Sequence, residues 1–252
     1  LLPFLIITRA GGSHQFTWRY RLAGKPKGRP MTKRTVIFDL DGTLADTSGD
    51  LIAAANSCFR SLGLGDLLDP TQDAATALRG GRAMLRLGFS RTEGFDEVAV
   101  DAQYPVLLTA YAQAIDTHTV LYPGAMDAVE RLRMADYAVG IATNKPEGLA
   151  ETLMTSLGVR GEFASLIGAD TLPVRKPDPE HHFEAVRRAG GDIGRSLLVG
   201  DTATDRDTSR NAGVPSILVT FGPGREDVLA LDPEATIDSY DQLDNVVARL
   251  IG

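Results

Sequence analysis

The sequence is poor in cysteine and has no long apolar run, and each absence excludes a class of protein. Cys58 is its one cysteine, so an intramolecular disulfide and a zinc site of several thiolates are both excluded. This usage is typical of a reducing compartment and predicts a cytoplasmic protein, with Cys58 as a packing residue. The apolar run at the N-terminus, residues 1–7, is far shorter than the roughly 20 residues of a membrane span.

Positive charge is also scarce. The chain has 26 basic and 33 acidic residues, a formal net charge of -7 and a pI near 5.1. This balance argues against a nucleic acid or an anionic membrane as the main partner. Residues 1–30 differ from this acidic average, because they are basic and rich in glycine and proline. They lack the order of a secretory signal, and we expect a disordered or non-native tail ahead of Met31.

From Thr35 onward the pattern is that of an α/β protein. A short apolar strand, residues 35–40, is followed by helical patterns alone up to residue 114. Strands and helices then alternate to the C-terminus, which predicts a doubly wound parallel sheet. We expect a catalytic core of residues 31–48 and 119–252, with a helical cap domain of residues 49–118 inserted after the first strand.

Polar residues stand at the end of each predicted strand, where ligands gather in a parallel α/β sheet. Lysine usage points to the same edge. Of five lysines, the two beyond residue 33 both lie in these strand-end loops, which favours a role for at least one of them. The residues concerned are Asp39, Asp41, Thr143, Asn144, Lys145, Lys176, Asp201 and Asp205.

Four carboxylates at one edge require a counter-charge, and Mg²⁺ with its preference for oxygen ligands supplies it. Asp39 and Asp201 are the natural direct ligands, with Asp205 behind them. One carboxylate can then act as a nucleophile on phosphorus. Lysine and threonine provide the charge and the donors that a transferring phosphoryl group needs. Asp41 is placed to protonate a leaving oxygen and later to activate water.

These residues resemble the motifs of the haloacid dehalogenase superfamily of phosphotransferases. Residues 39–47, Asp-Leu-Asp-Gly-Thr-Leu-Ala-Asp-Thr, match its first motif, and Thr143 matches the second. Lys176 corresponds to the third motif, and residues 200–205, Gly-Asp-Thr-Ala-Thr-Asp, correspond to the fourth. Order and spacing agree over residues 35–252, so the resemblance implies the fold and the chemistry of that superfamily.

The resemblance also implies roles for single residues. Asp39 would be the nucleophile and a Mg²⁺ ligand. Asp41 would be the general acid and base, and its backbone carbonyl would also reach the metal. Lys176 would steady the nucleophile and the phosphate. The remaining implied roles are phosphoryl binding by Thr143 with the Asn144 backbone, and completion of the metal site by Asp201.

The helical insert is similar to the cap of the phosphoglycolate phosphatase and β-phosphoglucomutase group, in which a cap loop selects the substrate. Gly80 and Gly81 permit a tight turn between two helices. Arg82 beside them could clamp a substrate carboxylate or second phosphate with two hydrogen bonds. Arg79 and Arg86 are alternatives for this role. Linkers near Ser48 and residues 118–123 would let the cap open and close.

The presence or absence of single residues excludes or disfavours some of the reactions known in the superfamily. No lysine lies between Lys33 and Lys145, which excludes the Schiff-base chemistry of phosphonate hydrolysis, and the presence of Asp41 argues against dehalogenation. A sugar phosphomutase, a pyrophosphatase or a nucleotidase stays possible on the same core. An inactive scaffold would have lost Asp39, Asp41 or Lys176. We therefore expect a Mg²⁺-dependent phosphomonoesterase acting on a small phosphorylated metabolite such as 2-phosphoglycolate.

Two adjacent histidines, His181 and His182, follow Lys176 on a predicted helix. We expect them on the surface of that helix rather than as metal ligands.

Overall fold

The computed structural model divides into two compact units, residues 1–32 and residues 33–252. It describes residues 2–10, 13–21, 32–93, 96–222 and 228–252. In the first unit, strands β1 (Leu2–Ala10) and β2 (Ser13–Arg21) pair in antiparallel register. Two stretches of the segment in which we expect a disordered or non-native tail are therefore strands, and its non-native origin stays a prediction. Met31, the expected start, lies outside the described residues.

A six-stranded sheet is the centre of the second unit, and all of its strand pairs are parallel. The strands are β3 (Lys33–Phe38), β6 (Ala138–Ala142), β7 (Ser165–Ile167), β8 (Gly191–Gly200), β9 (Ser216–Val219) and β10 (Ala235–Ile237). Their order in the sheet is β10-β9-β8-β3-β6-β7, which confirms the α/β prediction and places the first strand of the unit in the middle.

Strand β3 shows why this sheet must be covered on both faces. Val36, Ile37 and Phe38 are all fully buried, although successive side chains of a strand point to opposite faces. Val36 and Phe38 belong to the larger apolar cluster of the chain, and Ile37 belongs to a second, smaller one. A continuous apolar strand of this kind is stable only between two layers of helices.

The helices of these layers follow the strands in the predicted alternation. They are α5 (Ala125–Met134), α6 (Glu147–Ser156), α7 (Pro179–Arg188), α8 (Ala203–Ala212) and α9 (Leu243–Ile251), with 3-10 turns at Arg160–Glu162 and Tyr240–Gln242. Among the helices that the structure describes, none combines the length and the apolar character that crossing a bilayer requires.

The described part of residues 48–118 forms four helices, and we call residues 49–118 the cap segment. Helix α2 (Ala74–Ala77) ends before Gly80, whose φ of +90° glycine adopts at no steric cost. Pro105 lies inside α4 (Glu97–Gln113). The four helices are α1 (Ser48–Ser61), α2 (Ala74–Ala77), α3 (Gly81–Phe89) and α4 (Glu97–Gln113).

The two ends of the cap segment lie side by side. Strand β4 (Ala45–Asp46) pairs with β5 (Val120–Leu121) in antiparallel register. Behind this pair, the Asp50 carboxylate accepts hydrogen bonds from the backbone N–H of His118 (2.9 Å) and of Thr119 (2.8 Å), and from the Thr119 hydroxyl (2.7 Å). Both predicted linkers therefore meet at one place, while the division into core and cap domains stays a prediction.

The placement of His181 and His182 on a helix surface is wrong. Both side chains are fully buried, because α7 packs this face against the sheet. His181 Nε2 lies 3.0 Å from the Gly168 carbonyl oxygen, and His182 Nε2 lies 2.9 Å from Ser196 Oγ. Because each imidazole ring has a hydrogen-bond partner, both rings can be buried, and their polar character does not indicate a surface position.

The Asp50 contacts predict the stability of the Asp50→Asn variant. An amide at this position offers one acceptor oxygen in place of two and turns N–H donors toward the donors of the second linker. We expect the free energy of unfolding to fall by about 1–3 kcal/mol, measured by urea unfolding. The control is Asp66→Asn, which removes an exposed ion pair with Arg60 and should cost less than about 0.5 kcal/mol. Equal losses in both variants would contradict the role of Asp50.

Candidate active site

Three strands of the sheet deliver polar residues to the same edge. Asp39 follows β3 directly, and its backbone N–H donates to the Val199 carbonyl of β8 at 2.8 Å. Thr143 follows β6 and is bonded in the same way to the Ile167 carbonyl of β7 at 2.9 Å. Asp201 follows β8. The parallel ladder therefore runs to the base of the site and holds the backbone of its predicted residues in place.

Lys176 is the central cation of this edge. Its Nζ lies 2.9 Å from Asp39 Oδ1 and 2.6 Å from Asp205 Oδ1, and its side chain is 1% exposed. Burial would lower the pKa of this lysine, but Asp205 and Asp39 outweigh it and hold the pKa above its usual range. Asn144 Nδ2 donates to the Lys176 backbone carbonyl at 3.1 Å. Lys176 is therefore a fully charged group that bridges two carboxylates.

Asp205 belongs both to this bridge and to the start of helix α8. Its Oδ2 accepts hydrogen bonds from the backbone N–H groups of Asp201 (3.2 Å) and Thr202 (3.1 Å), and from the Thr202 hydroxyl (2.6 Å). The Thr202 side chain in turn caps the Asp205 N–H, which completes a capping box. Both carboxylate oxygens of Asp205 therefore have partners, and these contacts fix its position beside Asp39 and Asp201.

Asp201 is held from the opposite side by the loop that follows β3. Thr43 Oγ1 donates to Asp201 Oδ1 at 2.8 Å, and the Tyr240 hydroxyl donates to the Thr43 carbonyl at 2.7 Å. Gly42 has a φ of +82°, and a Cβ built on it would lie 2.3 Å from Asp201 Oδ2. Only glycine allows this loop to approach the carboxylate so closely.

The carboxylates of Asp39, Asp201 and Asp205 each place an oxygen within 4.8 Å of the others, and all three side chains are buried. Burial, followed by the charge of Asp205, raises the pKa of Asp39 to about 7. The same causes, with Asp39 as a further charge, raise the pKa of Asp201 well above its ordinary value. A site that disfavours its own carboxylate charges in this way fits a hard divalent cation with oxygen ligands.

The charges of the whole site lead to the same conclusion. When all four carboxylates are ionised, the two ammonium groups leave two negative charges without a counter-charge among these side chains, and Mg²⁺ would neutralise them. The groups concerned are Asp39, Asp41, Asp201, Asp205, Lys145 and Lys176.

A second ion pair joins Asp41 to Lys145, for which the sequence predicts no specific role. Lys145 Nζ lies 2.5 Å from Asp41 Oδ1, which also accepts a hydrogen bond from the Thr47 hydroxyl at 2.6 Å. The Lys145 side chain is 4% exposed and lies 4.6 Å from the ring centroid of Tyr111 on α4. Burial alone would lower the pKa of Lys145, but the opposite effect of Asp41 and Tyr111 is larger and raises this pKa to about 12. The sequence contains one indication of a role for Lys145: lysine is scarce in this chain, and Lys145 and Lys176 are the two lysines beyond residue 33.

The cap segment reaches the site through Leu78, and through Tyr111 beside Lys145, rather than through the predicted arginine. A Cβ built on Gly42 would lie 2.8 Å from Leu78 Cδ1. Arg82 instead forms an ion pair with Asp101 and lies 4.3 Å from the Tyr104 ring centroid. The described contacts of Arg82 thus lie within the cap segment, and its role as a substrate clamp stays a prediction.

The two other cap positions of interest are also accounted for locally. Gly81 opens α3 in close contact with α4, since a Cβ on it would lie 2.9 Å from Leu107 Cδ2. Arg86 makes a two-bond pair with Glu97, at 2.8 and 2.9 Å.

Buried carboxylates and lysines at the carboxyl ends of a parallel sheet define an α/β protein with an acidic cluster that could hold a divalent cation. Comparison with known proteins agrees with this class. The sequence model of the haloacid dehalogenase-like hydrolases matches residues 36–219. The chain belongs to this family of hydrolases.

Individual relatives carry a narrower name. The phosphoglycolate phosphatase of Mesorhizobium japonicum is 37% identical over 216 residues, which cover 84% of this chain and 94% of that protein. The phosphoglycolate phosphatase of Agrobacterium fabrum is also 37% identical, over 84% of this chain and 91% of its own length. The crystal structure of a predicted phosphoglycolate phosphatase from Haemophilus somnus superposes with a TM-score of 0.72 at 21% identity, covering 86% of this chain and 99% of that one.

The approach of Gly42 to Asp201 predicts the effect of Gly42→Ala on metal binding. The added methyl group would displace the Asp201 carboxylate, so we expect Mg²⁺ affinity to fall by about 10–100-fold, measured by calorimetry. Gly158→Ala is the matched control, because Gly158 has a similar φ of +74° but nothing within 4 Å of an added Cβ. Backbone strain is then common to both variants. If Gly42→Ala and Gly158→Ala bound Mg²⁺ with similar affinities, contact between the added methyl group and Asp201 would not be the cause of any loss.

The raised pKa of Asp39 predicts a pH dependence of stability in the metal-free protein. Between its ordinary value of 3.8 and about 7, the folded chain holds a proton that the unfolded chain has released. The stabilising contribution of this group is therefore present below pH 4 and lost as the pH rises to 7. We expect wild type to lose stability relative to Asp39→Asn over this range, by up to about 1.4 kcal/mol per pH unit.

Urea unfolding in the presence of a chelator, at intervals across this range, measures the difference between the two proteins. The comparison with Asp39→Asn is necessary because burial lowers the pKa of His181 and of His182 to about 4. Their contribution is lost as the pH falls from 6.5 to 4, so it opposes that of Asp39. If the difference in unfolding free energy between wild type and Asp39→Asn stayed constant with pH, the raised pKa of Asp39 would be contradicted.

Proposed function

We propose that the chain is a Mg²⁺-dependent phosphomonoesterase that acts through a phosphorylated Asp39, with 2-phosphoglycolate as its substrate. The observation that carries the proposal is the bridge from Lys176 to Asp39 within the buried carboxylate cluster. A buried cation beside a carboxylate at a strand end is the arrangement that phosphoryl transfer to that carboxylate requires. The names of the relatives in M. japonicum and A. fabrum support the choice of substrate.

In the first step, a carboxylate oxygen of Asp39 attacks phosphorus and the bond from phosphorus to the ester oxygen breaks. The backbone N–H of Leu40, 2.7 Å from Asp39 Oδ1, and Lys176 both hold the carboxylate in orientation. Asp41, two residues on, delivers a proton to the departing oxygen, which leaves as an alcohol. The products of this step are the alcohol and an aspartyl-phosphate.

In the second step, water attacks the phosphorus of the aspartyl-phosphate while Asp41 takes a proton from it. The bond between Asp39 and phosphorus breaks, so that inorganic phosphate leaves and the Asp39 carboxylate is restored. Asp41 is oriented for both proton transfers by the Thr47 hydroxyl and by Lys145.

The phosphoryl oxygens would be bound by Thr143, the Asn144 backbone and Lys176, which meet at the ends of β6 and of the loop before α7. Thr143 Oγ1 accepts a hydrogen bond from the Lys145 N–H at 3.1 Å, so its own proton points elsewhere and can be donated to the substrate.

Mg²⁺ would be held by Asp39, Asp201 and the Asp41 carbonyl, where it would offset negative charge on the phosphoryl group. Asp205 would keep Asp201 in place through its hydrogen bond to the Asp201 N–H.

The proposal predicts the behaviour of Asp39→Asn with a panel of esters. We expect wild type to release phosphate from 2-phosphoglycolate in preference to sugar phosphates, pyrophosphate and nucleotides, and only with Mg²⁺ present. Asp39→Asn should lose this activity on the order of 10³-fold or more, because an amide is a poor nucleophile. Asp207→Asn, an exposed change on α8, is the control and should retain it.

Three other outcomes would revise the proposal. Release from sugar phosphates, pyrophosphate or nucleotides alone would retain the mechanism and reject 2-phosphoglycolate. Activity that survives Asp39→Asn, or that is independent of Mg²⁺, would reject the mechanism. Conversion of a sugar phosphate into its isomer without phosphate release would identify a mutase.

A further inference from the structure

We propose that Lys145 binds the carboxylate of the leaving group, and that it sets the preference for esters whose leaving group carries a carboxylate next to the ester carbon. This inference rests on the proposed function and adds the residue that recognises the substrate. It assigns to the strand-end loop the role that the sequence predicts for an arginine of the cap segment.

The position of Lys145 follows from the role of Asp41. The proton donor must lie within hydrogen-bond distance of the departing oxygen, so the leaving group lies against Asp41. Lys145 Nζ is 2.5 Å from Asp41 Oδ1. A carboxylate attached to the carbon beside that oxygen therefore comes within reach of the Lys145 ammonium.

Burial and charge make this ammonium a suitable receptor. Its side chain is 4% exposed, and it has three N–H donors. Among the residues that the structure describes, Asp41 is the one carboxylate within ion-pair distance of it. The Tyr111 ring covers the group from the cap segment, which reduces the screening of its charge by water. An ion pair formed by a substrate carboxylate in this place is correspondingly strong.

The backbone of Lys145 also fixes the distance between the two anionic ends of a substrate. Its N–H donates to Thr143 Oγ1 at 3.1 Å, and Thr143 is expected to bind the phosphoryl group. Phosphate and carboxylate would thus be recognised by residues two positions apart on one short loop. This favours a short substrate such as 2-phosphoglycolate over longer phosphorylated acids.

The cap-segment arginines whose contacts the structure describes are less suited than Lys145 to bind the substrate carboxylate. Arg82 pairs with Asp101, Arg86 with Glu97, and Arg91 with Asp73. The side chains of these arginines are 41–49% exposed, so their charges are more strongly screened by water than that of Lys145.

The test compares two esters that differ in one group. 2-Phosphoglycolate carries a carboxylate, and 2-hydroxyethyl phosphate carries a neutral hydroxymethyl group in its place. We expect the ratio of their kcat/KM values to fall at least about tenfold in Lys145→Met, mainly through KM for 2-phosphoglycolate. Loss of the Asp41 ion pair lowers turnover of both esters, so only the ratio reports carboxylate binding. Lys145→Arg, which keeps the charge, should restore part of the ratio.

Arg82→Met is the matched control, because it removes the cation that the sequence predicts as the clamp. An unchanged ratio in Lys145→Met, or a ratio that falls in Arg82→Met instead, would overturn the proposal. A second measurement needs no substitution at Lys145. Glycolate should inhibit hydrolysis of 2-hydroxyethyl phosphate by wild type more strongly than ethylene glycol does, and equal inhibition would overturn the proposal even if Lys145→Met did not fold.

Failure of the proposed function would give a different result. If wild type cleaved neither ester, phosphatase activity on these substrates would be rejected. Calorimetry of 2-phosphoglycolate with wild type and with Lys145→Met, both loaded with Mg²⁺, would then decide the role of Lys145 without turnover. At least tenfold weaker binding to the variant would support it, and equal binding would overturn it.

Discussion

The repulsion between buried carboxylates is the constraint on which the rest of the site depends. Asp39, Asp201 and Asp205 each place an oxygen within 4.8 Å of the others, and all three side chains are buried, where like charges interact more strongly than in solution. Lys176 offsets part of this repulsion by bonding Asp39 and Asp205 together. Burial, together with the repulsion that remains, raises the pKa of Asp39 and of Asp201, and a cluster of this kind favours a divalent cation.

The fold meets this constraint through the geometry of the parallel sheet. Because β3, β6 and β8 are neighbours in the sheet, residues distant in sequence reach one edge from rigid strand ends. The loops after these strands then supply the fixed hydrogen bonds, such as that from Thr43 to Asp201. A charged cluster can be tolerated here because its members are held by hydrogen bonds and by the ion pairs of Lys176.

Residues at strand ends could be predicted from the sequence, and contacts between side chains could not. Asp39, Thr143 and Asp201 were located by the rule that ligands gather at the carboxyl ends of parallel strands, and the family assignment to which they led is confirmed. The partner of Lys145 could not be read in this way, since its ion pair with Asp41 joins positions 104 residues apart. The burial of His181 was missed because no sequence pattern marks the Gly168 carbonyl as its partner.

The capping box of α8 has a consequence for how this protein can change. Asp205 closes the first turn of the helix and, with its other oxygen, anchors Lys176. One side chain thus supports both the helix and the buried lysine of the candidate site, so a substitution at this turn would change stability and site geometry together. Stabilised variants should be sought instead among exposed positions remote from the site, where better helix caps or surface charges leave the reacting groups undisturbed.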